Sequence, residues 1–323
     1  MRLVEFAMTA LLVVAAVPLP AVAFELHGHR GTRGHAPENT LAAFRKALEI
    51  GVTHIETDLA ITKDGQVVIS HEPALNQDLV RLPNGKWLSA RGPAISTLTL
   101  SELKQLDIGR INPQSRYAQQ WKEQVPSDGE RFPTLAELFA LVQASGNVAV
   151  RFNIEIKTVP DGVEPTPDPE TFARLVLAEI DKARMAQRVM VQSFDWRSLR
   201  AIKRLASDIE TSCLTIESPD LDTVQRGKPG ASPWLAGIDV DQLQGSVPRA
   251  VKQTGCAVWS PFWRNPTPET LQEAKALGLR VVPWTVNDPA RMEQLIAVGI
   301  DGLITDYPDR AREVMQRHGM KLP

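Results

Sequence analysis

The sequence predicts an α/β protein folded as a TIM, or (β/α)8, barrel with a long insertion after the second strand. Three observations predict it. An amphipathic helix, a glycine and an apolar strand recur in that order as FRKALEIG-VTHIETDL, LQEAKALG-LRVVPWTV and MEQLIAVG-IDGLITDY. Strand and helix alternate, which implies a parallel sheet with right-handed crossovers. Eight strand candidates fit into roughly 300 residues, the scale of such a barrel. A doubly wound open sheet is the structural alternative.

The chain opens with a stretch that reads as a secretion leader, residues 1–23. Arg2 supplies a basic end, with Glu5 against the pattern; Ala7 to Val17 supply an apolar run, and Ala21-Val22-Ala23 a small-x-small cleavage site. Cleavage after Ala23 would start the mature domain at Phe24. Residues 24–323 would then form one domain exported across the inner membrane to the periplasm. The apolar run is too short to span a bilayer comfortably, and no later run reaches that length. No stable membrane insertion is therefore expected after cleavage.

The first strand candidate covers residues 25–29. A helix follows, with Asn39 or Thr40 as its cap, Leu41, Phe44 and Leu48 on its apolar face, and Gly51 at its end. Gly51, Gly278 and Gly299 stand where a helix C-terminus calls for a left-handed residue. The second strand covers residues 54–59. Asp64-Gly65 is a hairpin-type turn into an extra strand, QVVIS, at residues 66–70. Residues 73–133 form the insertion, rich in Pro, Gly and charge, with one short helix near residues 100–106. It ends at Pro133-Thr134, a helix start. Further strands are expected at 148–156, 188–193 and 211–216. A polar connection then runs from Glu217 to Pro233, followed by the short apolar run WLAGIDV. The last strands are expected at 257–261, 280–286 and 302–305. Thr267-Pro268 and Asp288-Pro289 read as N-caps followed by proline at the first helical position.

A hydrophobic fraction of 43% and a formal net charge of -2 describe a globular chain with no basic surplus for nucleic acid. The two cysteines, Cys213 and Cys256, lie in apolar strand-like runs. An oxidising compartment permits a bridge, and two buried thiols fit as well. Neither a zinc cluster nor a redox CxxC is present. The pattern does not set an oligomeric state.

In a barrel the chemistry sits at the C-terminal ends of the strands. His29 and Arg30 end the first strand there. Glu56 and Asp58, two apart, point to one side of the second. Asn153, Glu155 and Lys157 alternate onto one face of the next barrel strand, and His71 ends the extra strand. Gln192 and Ser193 close another, and Trp284, Thr285 and Asn287 another. Charges at alternating positions in apolar strands are costly in a closed core and reasonable around a polar mouth. Three converging carboxylates repel one another unless a hard divalent cation joins them. His29 and His71 suit proton transfer near neutral pH, and Arg30 and Lys157 suit a phosphate. Together these groups describe a phosphodiester-cleaving site.

The run HRGTRG, then PENT, ETDL, TKDG, ISHE, NIEIK, QSFD, WTVN and DGLITDYP, resembles the glycerophosphodiester phosphodiesterases over about residues 26–308. The resemblance implies a TIM barrel that hydrolyses glycerophosphodiesters to glycerol 3-phosphate and an alcohol. It implies that His29 and His71 are the acid/base pair. Glu56, Asp58 and Glu155 would bind one divalent metal ion, Ca2+ or Mg2+, and Arg30 and Lys157 would contact the phosphate. Glu72 stands where the family usually has Asp. On this reading one histidine deprotonates the glycerol 2-hydroxyl, a 1,2-cyclic phosphate forms, and water opens it. A lyase resembling sphingomyelinase D would stop at the cyclic phosphate. A non-catalytic phosphodiester-binding barrel is the rival from another class, and a retaining glycosidase is more distant.

Other residues have simpler readings. His27 and His54 are expected to be structural, His35 a loop residue, and Glu38 a charge at a helix start. Trp263 and Trp284 line the pocket or fill the core. Gln192 and Asn287 are candidates for substrate or supporting contacts.

Overall fold

The computed structural model describes residues 24–162 and 164–323, and the expected leader lies outside them. In chain order the elements are β1 (Glu25–Gly28), α1 (Leu41–Ile50), β2 (His54–Ile61), β3 (Val67–Ile69), α2 (Leu100–Leu103), α3 (Leu135–Ala144), β4 (Arg151–Ile156), α4 (Pro169–Ala183), β5 (Val189–Ser193), α5 (Trp196–Leu205), β6 (Glu210–Thr215), α6 (Val247–Thr254), β7 (Val258–Pro261), α7 (Pro268–Ala276), β8 (Arg280–Val281), α8 (Pro289–Ala297), β9 (Gly302–Thr305) and α9 (Pro308–Arg317). The parallel path runs β8-β7-β6-β5-β4-β2-β1-β9, and β3 hangs antiparallel on β2. Backbone bonds from Asp301 to Val281, Ile304 to Pro283 and Val286 to Ile304, each 2.9 Å, bring the two ends of that path together. The result is a nearly closed barrel of eight parallel strands with helices between them, a TIM barrel.

The helices start where small polar side chains can satisfy free backbone N–H groups. Thr40, of the two candidate caps, accepts from Ala43 N–H. Thr134 and Glu137 form a reciprocal capping box at α3. Asp288 and Thr267 cap α8 and α7, each ahead of a proline. Gly51, Gly278 and Gly299 all have positive φ, as a chain leaving a helix for a strand requires. The main core fills the layer between the strands and the helices, with Phe44, Phe139, Phe152, Phe172 and Trp196 fully buried.

Three spans differ from the sequence expectation. The strand expected from residue 148 begins at Arg151, and Val148 is 85% exposed. There the Asn147 side chain accepts from the N–H groups of Ala149 and Val150, which holds a turn instead. The strand expected over 280–286 keeps ladder geometry only through Val281; Pro283 has no N–H to give. The helix expected over 100–106 is a single turn, because Asp107 leaves it to exchange backbone bonds with Arg81. Residues 73–133 otherwise pack on a second apolar cluster that includes Leu75, Val80, Ile95, Ile108 and Phe132. Cys213 on β6 and Cys256, two residues before β7, are joined in a disulfide. Adjacent parallel strands bring them together, so of the two sequence readings the bridge is the one found.

His27 and His54 stack at the opposite end of the barrel, with ring centroids 4.1 Å apart. Glu25 accepts from His27 Nε2 at 2.9 Å and faces Arg280 Nε at 3.0 Å. Both rings are buried, in keeping with a structural role. Burial, and then the neighbouring His27, holds the His54 pKa well below 6.5. For Glu25, burial pushes the pKa up, but the His27 hydrogen bond and the surrounding cations bring it down to about 2. Both folded pKa values lie below the unfolded ones, so on acidification the unfolded chain binds protons first. Stability should fall from pH 6.5 downward through His54, and again between about pH 4.5 and pH 2 through Glu25. Each group contributes at most about 1.4 kcal/mol per pH unit. The melting temperature should therefore drop between pH 7 and pH 5, with a shallower slope in His54→Gln. A melting temperature that stays level over that range contradicts this.

Candidate active site

β1 ends at Gly28 and the chain turns sharply over the barrel mouth. Arg30 takes a left-handed φ of 49° and Gly31 one of 83°. A Cβ on Gly31 would lie 2.7 Å from the Ala43 Cβ, so the close approach to α1 demands glycine. The turn is pinned by the Arg30 backbone N–H donating to Glu56 Oε2 at 2.7 Å. This sets His29 and Arg30 over the end of β2, at a cavity of about 190 Å³. Its lining includes His29, Arg30, Arg33, His71, Lys157, Gln192, Trp284 and the three acids of the expected metal set.

Glu56, Asp58 and Glu155 come from the neighbouring strands β2 and β4, where Asp58 pairs in register with Glu155. Each offers an oxygen within 4.8 Å of the others, and all three are buried. Burial and the neighbouring acids push the Glu56 carboxyl well up and Glu155 up to about 7. Burial also opposes ionisation of Asp58, but Lys157, His71 and Arg30 hold its pKa well down. Lys157 Nζ lies 3.0 Å from Asp58 and 2.9 Å from Glu155. Two side-chain amides orient the set: Asn39 donates to Asp58 at 2.9 Å and Gln192 to Glu56 at 2.8 Å. Converging oxygen donors, mutually repelling and tied from behind, fit a hard divalent cation such as calcium or magnesium.

The two histidines arrive from different strands with the same arrangement. His29 Nδ1 donates to Asp306 Oδ1 at 2.6 Å, and His71 Nδ1 to Glu72 Oε1 at 2.8 Å. In each ring the Nδ1–H is held by a carboxylate acceptor, which leaves Nε2 as the exchanging atom. Asp306 is fully buried and held by Arg33 Nε at 2.8 Å and Asn287 Nδ2 at 2.6 Å. Burial lowers the His29 pKa below 6.5, although Asp306 pulls the other way. Burial, with Arg30 and Lys157, lowers His71 to about 4.

His29, Arg30, Glu56, Asp58, His71, Glu155, Lys157, Gln192 and Trp284 thus gather at one cavity. Two candidates do not line it. Trp263 packs on the barrel core with Arg264 and Arg291 over its ring, because the chain turns away after β7. Asn287 reaches Asp306 instead, one layer behind His29. Glu38 is not a helix charge: it accepts from Arg30 Nη1 at 2.5 Å and from the Tyr117 hydroxyl. Sequence reasoning did not select Asp306, Arg33, Asn39, Tyr117, Phe194 or Leu214. Asp306 follows directly after β9, so the strand-end rule that picked the other residues applies to it. Tyr117 comes from the insertion and carries no periodic signal.

The family model for the glycerophosphoryl diester phosphodiesterase family matches residues 29–310. A glycerophosphodiester phosphodiesterase of Caldanaerobacter subterraneus subsp. tengcongensis is 31% identical over 291 residues, covering 90% of this chain and 97% of the relative. One of Bacillus altitudinis is 28% identical over 295 residues, covering 90% and 98%. Among solved structures, a Silicibacter pomeroyi protein proposed to be a glycerophosphoryl diester phosphodiesterase superposes with a TM-score of 0.82 at 32% identity, covering 94% of this chain and 96% of that one. A more distant Oleispira antarctica phosphodiesterase, in complex with its product sn-glycerol-3-phosphate, shares the fold with a TM-score of 0.65 at 23% identity, covering 90% and 96%. With its barrel, its acidic cluster and its paired histidines, the chain belongs to the glycerophosphoryl diester phosphodiesterase family.

Proposed function

We propose that this enzyme hydrolyses glycerophosphodiesters to sn-glycerol 3-phosphate and an alcohol, with His29 and His71 as the acid/base pair. The carrying observation is that two partly buried imidazoles, each with Nδ1 tied to a carboxylate, face one cavity from separate strand ends. Glu56, Asp58 and Glu155 would hold a divalent cation, calcium or magnesium. When bound it would supply positive charge for the phosphoryl oxygens. Arg30 and Lys157 face the same cavity and add two more cationic groups to it.

The two rings can sit on either side of the phosphorus, as in-line displacement requires. His29, backed by the buried Asp306, takes the proton of the glycerol 2-hydroxyl. That oxygen bonds to phosphorus, and the ester bond to the alcohol breaks. Protonated His71 gives its proton to the departing oxygen. The bound phosphodiester's negative charge favours that protonated form. In the second half, His71 takes a proton from water, the water oxygen bonds to phosphorus, and the ring bond to O2 breaks. His29 returns its proton to O2. Both histidines end as they began.

The test is product identification by 31P NMR on a panel of glycerophosphodiesters, with calcium or magnesium added separately. Accumulation of sn-glycerol 3-phosphate is expected. A cyclic phosphate as the final product would favour the lyase, and no phosphorus-containing product at all would favour a binding barrel. The expected export rests on the leader alone; N-terminal sequencing should find Phe24 first.

A further inference from the structure

The barrel and the insertion are packed from separate apolar clusters. Packed interiors leave few voids larger than a water. Yet a second cavity, about 30 Å³, lies where the two clusters meet. Leu79, Val80, Ile108, Ile111 and Phe132 of the insertion wall it, with Ile69 of β3. His71 lines both this cavity and the active-site cavity, so one imidazole stands between a charged chamber and an apolar one.

The ionic groups on the lining are all engaged by the chain itself. Glu38 holds Arg30, Glu72 holds His71, and Arg110 is bound in two places by Asp128, at 2.8 Å and 2.7 Å. Asn76 Oδ1 accepts from the Asp78 N–H, and the Ser70 hydroxyl donates to Glu72 O. An occupant would therefore meet hydrocarbon and already paired charges. A water needs about 10–15 Å³ by the same measure, so the room amounts to about two or three heavy atoms.

We propose that this cavity is a subsite for the leaving alcohol, receiving its first two or three carbons when they are apolar. This deepens the reading above and rests on it, because it takes His71 as the group that protonates the leaving oxygen. The chemistry it selects is a short alkyl ester of glycerol 3-phosphate. An alcohol with an ammonium on its second carbon would have to compete with Arg30 and His71 for the Glu38 and Glu72 carboxylates while losing its water, which is unfavourable.

The experiment uses the purified full-length domain with calcium or magnesium. Its substrates are the methyl, ethyl, propyl, butyl and 2-aminoethyl esters of sn-glycerol 3-phosphate. From methyl to propyl, kcat/KM should rise about fourfold per carbon, the effect of burying one methylene, and then level off at butyl. The 2-aminoethyl ester should fall below the propyl ester by about tenfold. Leu79→Trp, which fills the cavity, should bring the propyl-to-methyl ratio of kcat/KM close to unity. A flat series in the unaltered protein, or an aminoethyl ester preferred over propyl, overturns the proposal and leaves the phosphodiesterase reading standing. A chain-length gain that persists unchanged in folded Leu79→Trp overturns it too. If that variant does not fold, the series in the unaltered protein decides. Failure to hydrolyse any ester sinks the phosphodiesterase reading and this one together.

Discussion

Replacing either His29 or His71 with Asn is expected to lower kcat by about 10²- to 10⁴-fold, the usual size of a general acid–base contribution. Divalent-cation affinity should stay near that of the unaltered protein, because neither ring belongs to the carboxylate set. The position of Asp306 adds a finer expectation. Its carboxylate accepts the hydrogen bond from His29 Nδ1–H and is itself held by Arg33 and Asn287. Asp306→Asn keeps the shape but weakens the grip on that tautomer, so kcat should fall by about 10²-fold or more. The pH profile separates this from mere disruption. His29, the base of the first step, has its pKa held below 6.5, so the acid limb of kcat/KM should lie below pH 6.5. Asp306 is the group that raises His29, so its loss should move the His29 limb to lower pH. Activity near that of the unaltered protein in a folded His29→Asn or His71→Asn would remove the acid–base assignment.

Excess EDTA should abolish hydrolysis, and calcium or magnesium should restore it. Glu56, Asp58 and Glu155 are buried together, and burial with their mutual repulsion holds Glu155 up at about 7 and Glu56 well above its ordinary value. A divalent ion must compete with those protons, so its binding should release protons and weaken as pH falls below 7. Isothermal titration in two buffers of different ionisation enthalpy reads the release directly. Glu56→Gln, Asp58→Asn and Glu155→Gln each remove a charged ligand and should weaken binding by about tenfold or more. Full turnover in protein shown by elemental analysis to hold no divalent metal would contradict the assignment.

Much of this architecture was legible in the sequence, because the helix-glycine-strand repeat fixes both the alternation and the direction of the strands. The residues at β1, β2 and β4 were legible for a related reason: charges at every second position in an apolar strand have a single economical place, the mouth of the barrel. What lay behind them was not. Arg33 and Asn39 support Asp306 and Asp58 through contacts between separate parts of the chain, and local pattern carries no information at that range; Asp306 itself was open to the strand-end rule. Glu38 looked like a helix charge because it precedes α1; only the fold shows that Arg30 and Tyr117 claim it. Trp263 follows an apolar strand as Trp284 does, yet the chain turns after β7 and lays it against the outside of the core, away from the cavity. The insertion was visible as an interruption, but its own apolar cluster was not, since its members are scattered from Leu75 to Phe132 without a period.

The central claim is that the glycerol 2-hydroxyl attacks phosphorus within the substrate while His29 and His71 exchange its protons. The most direct test compares a glycerophosphodiester with its 2-deoxy analogue at saturating concentration, with product formation followed by 31P NMR. Intramolecular attack gains effective concentrations on the order of 10⁵–10⁸ M, so removing that hydroxyl should cost at least about 100-fold in kcat. An analogue cleaved at the normal rate would mean that water attacks the phosphodiester directly, and the cyclic intermediate would have to be abandoned.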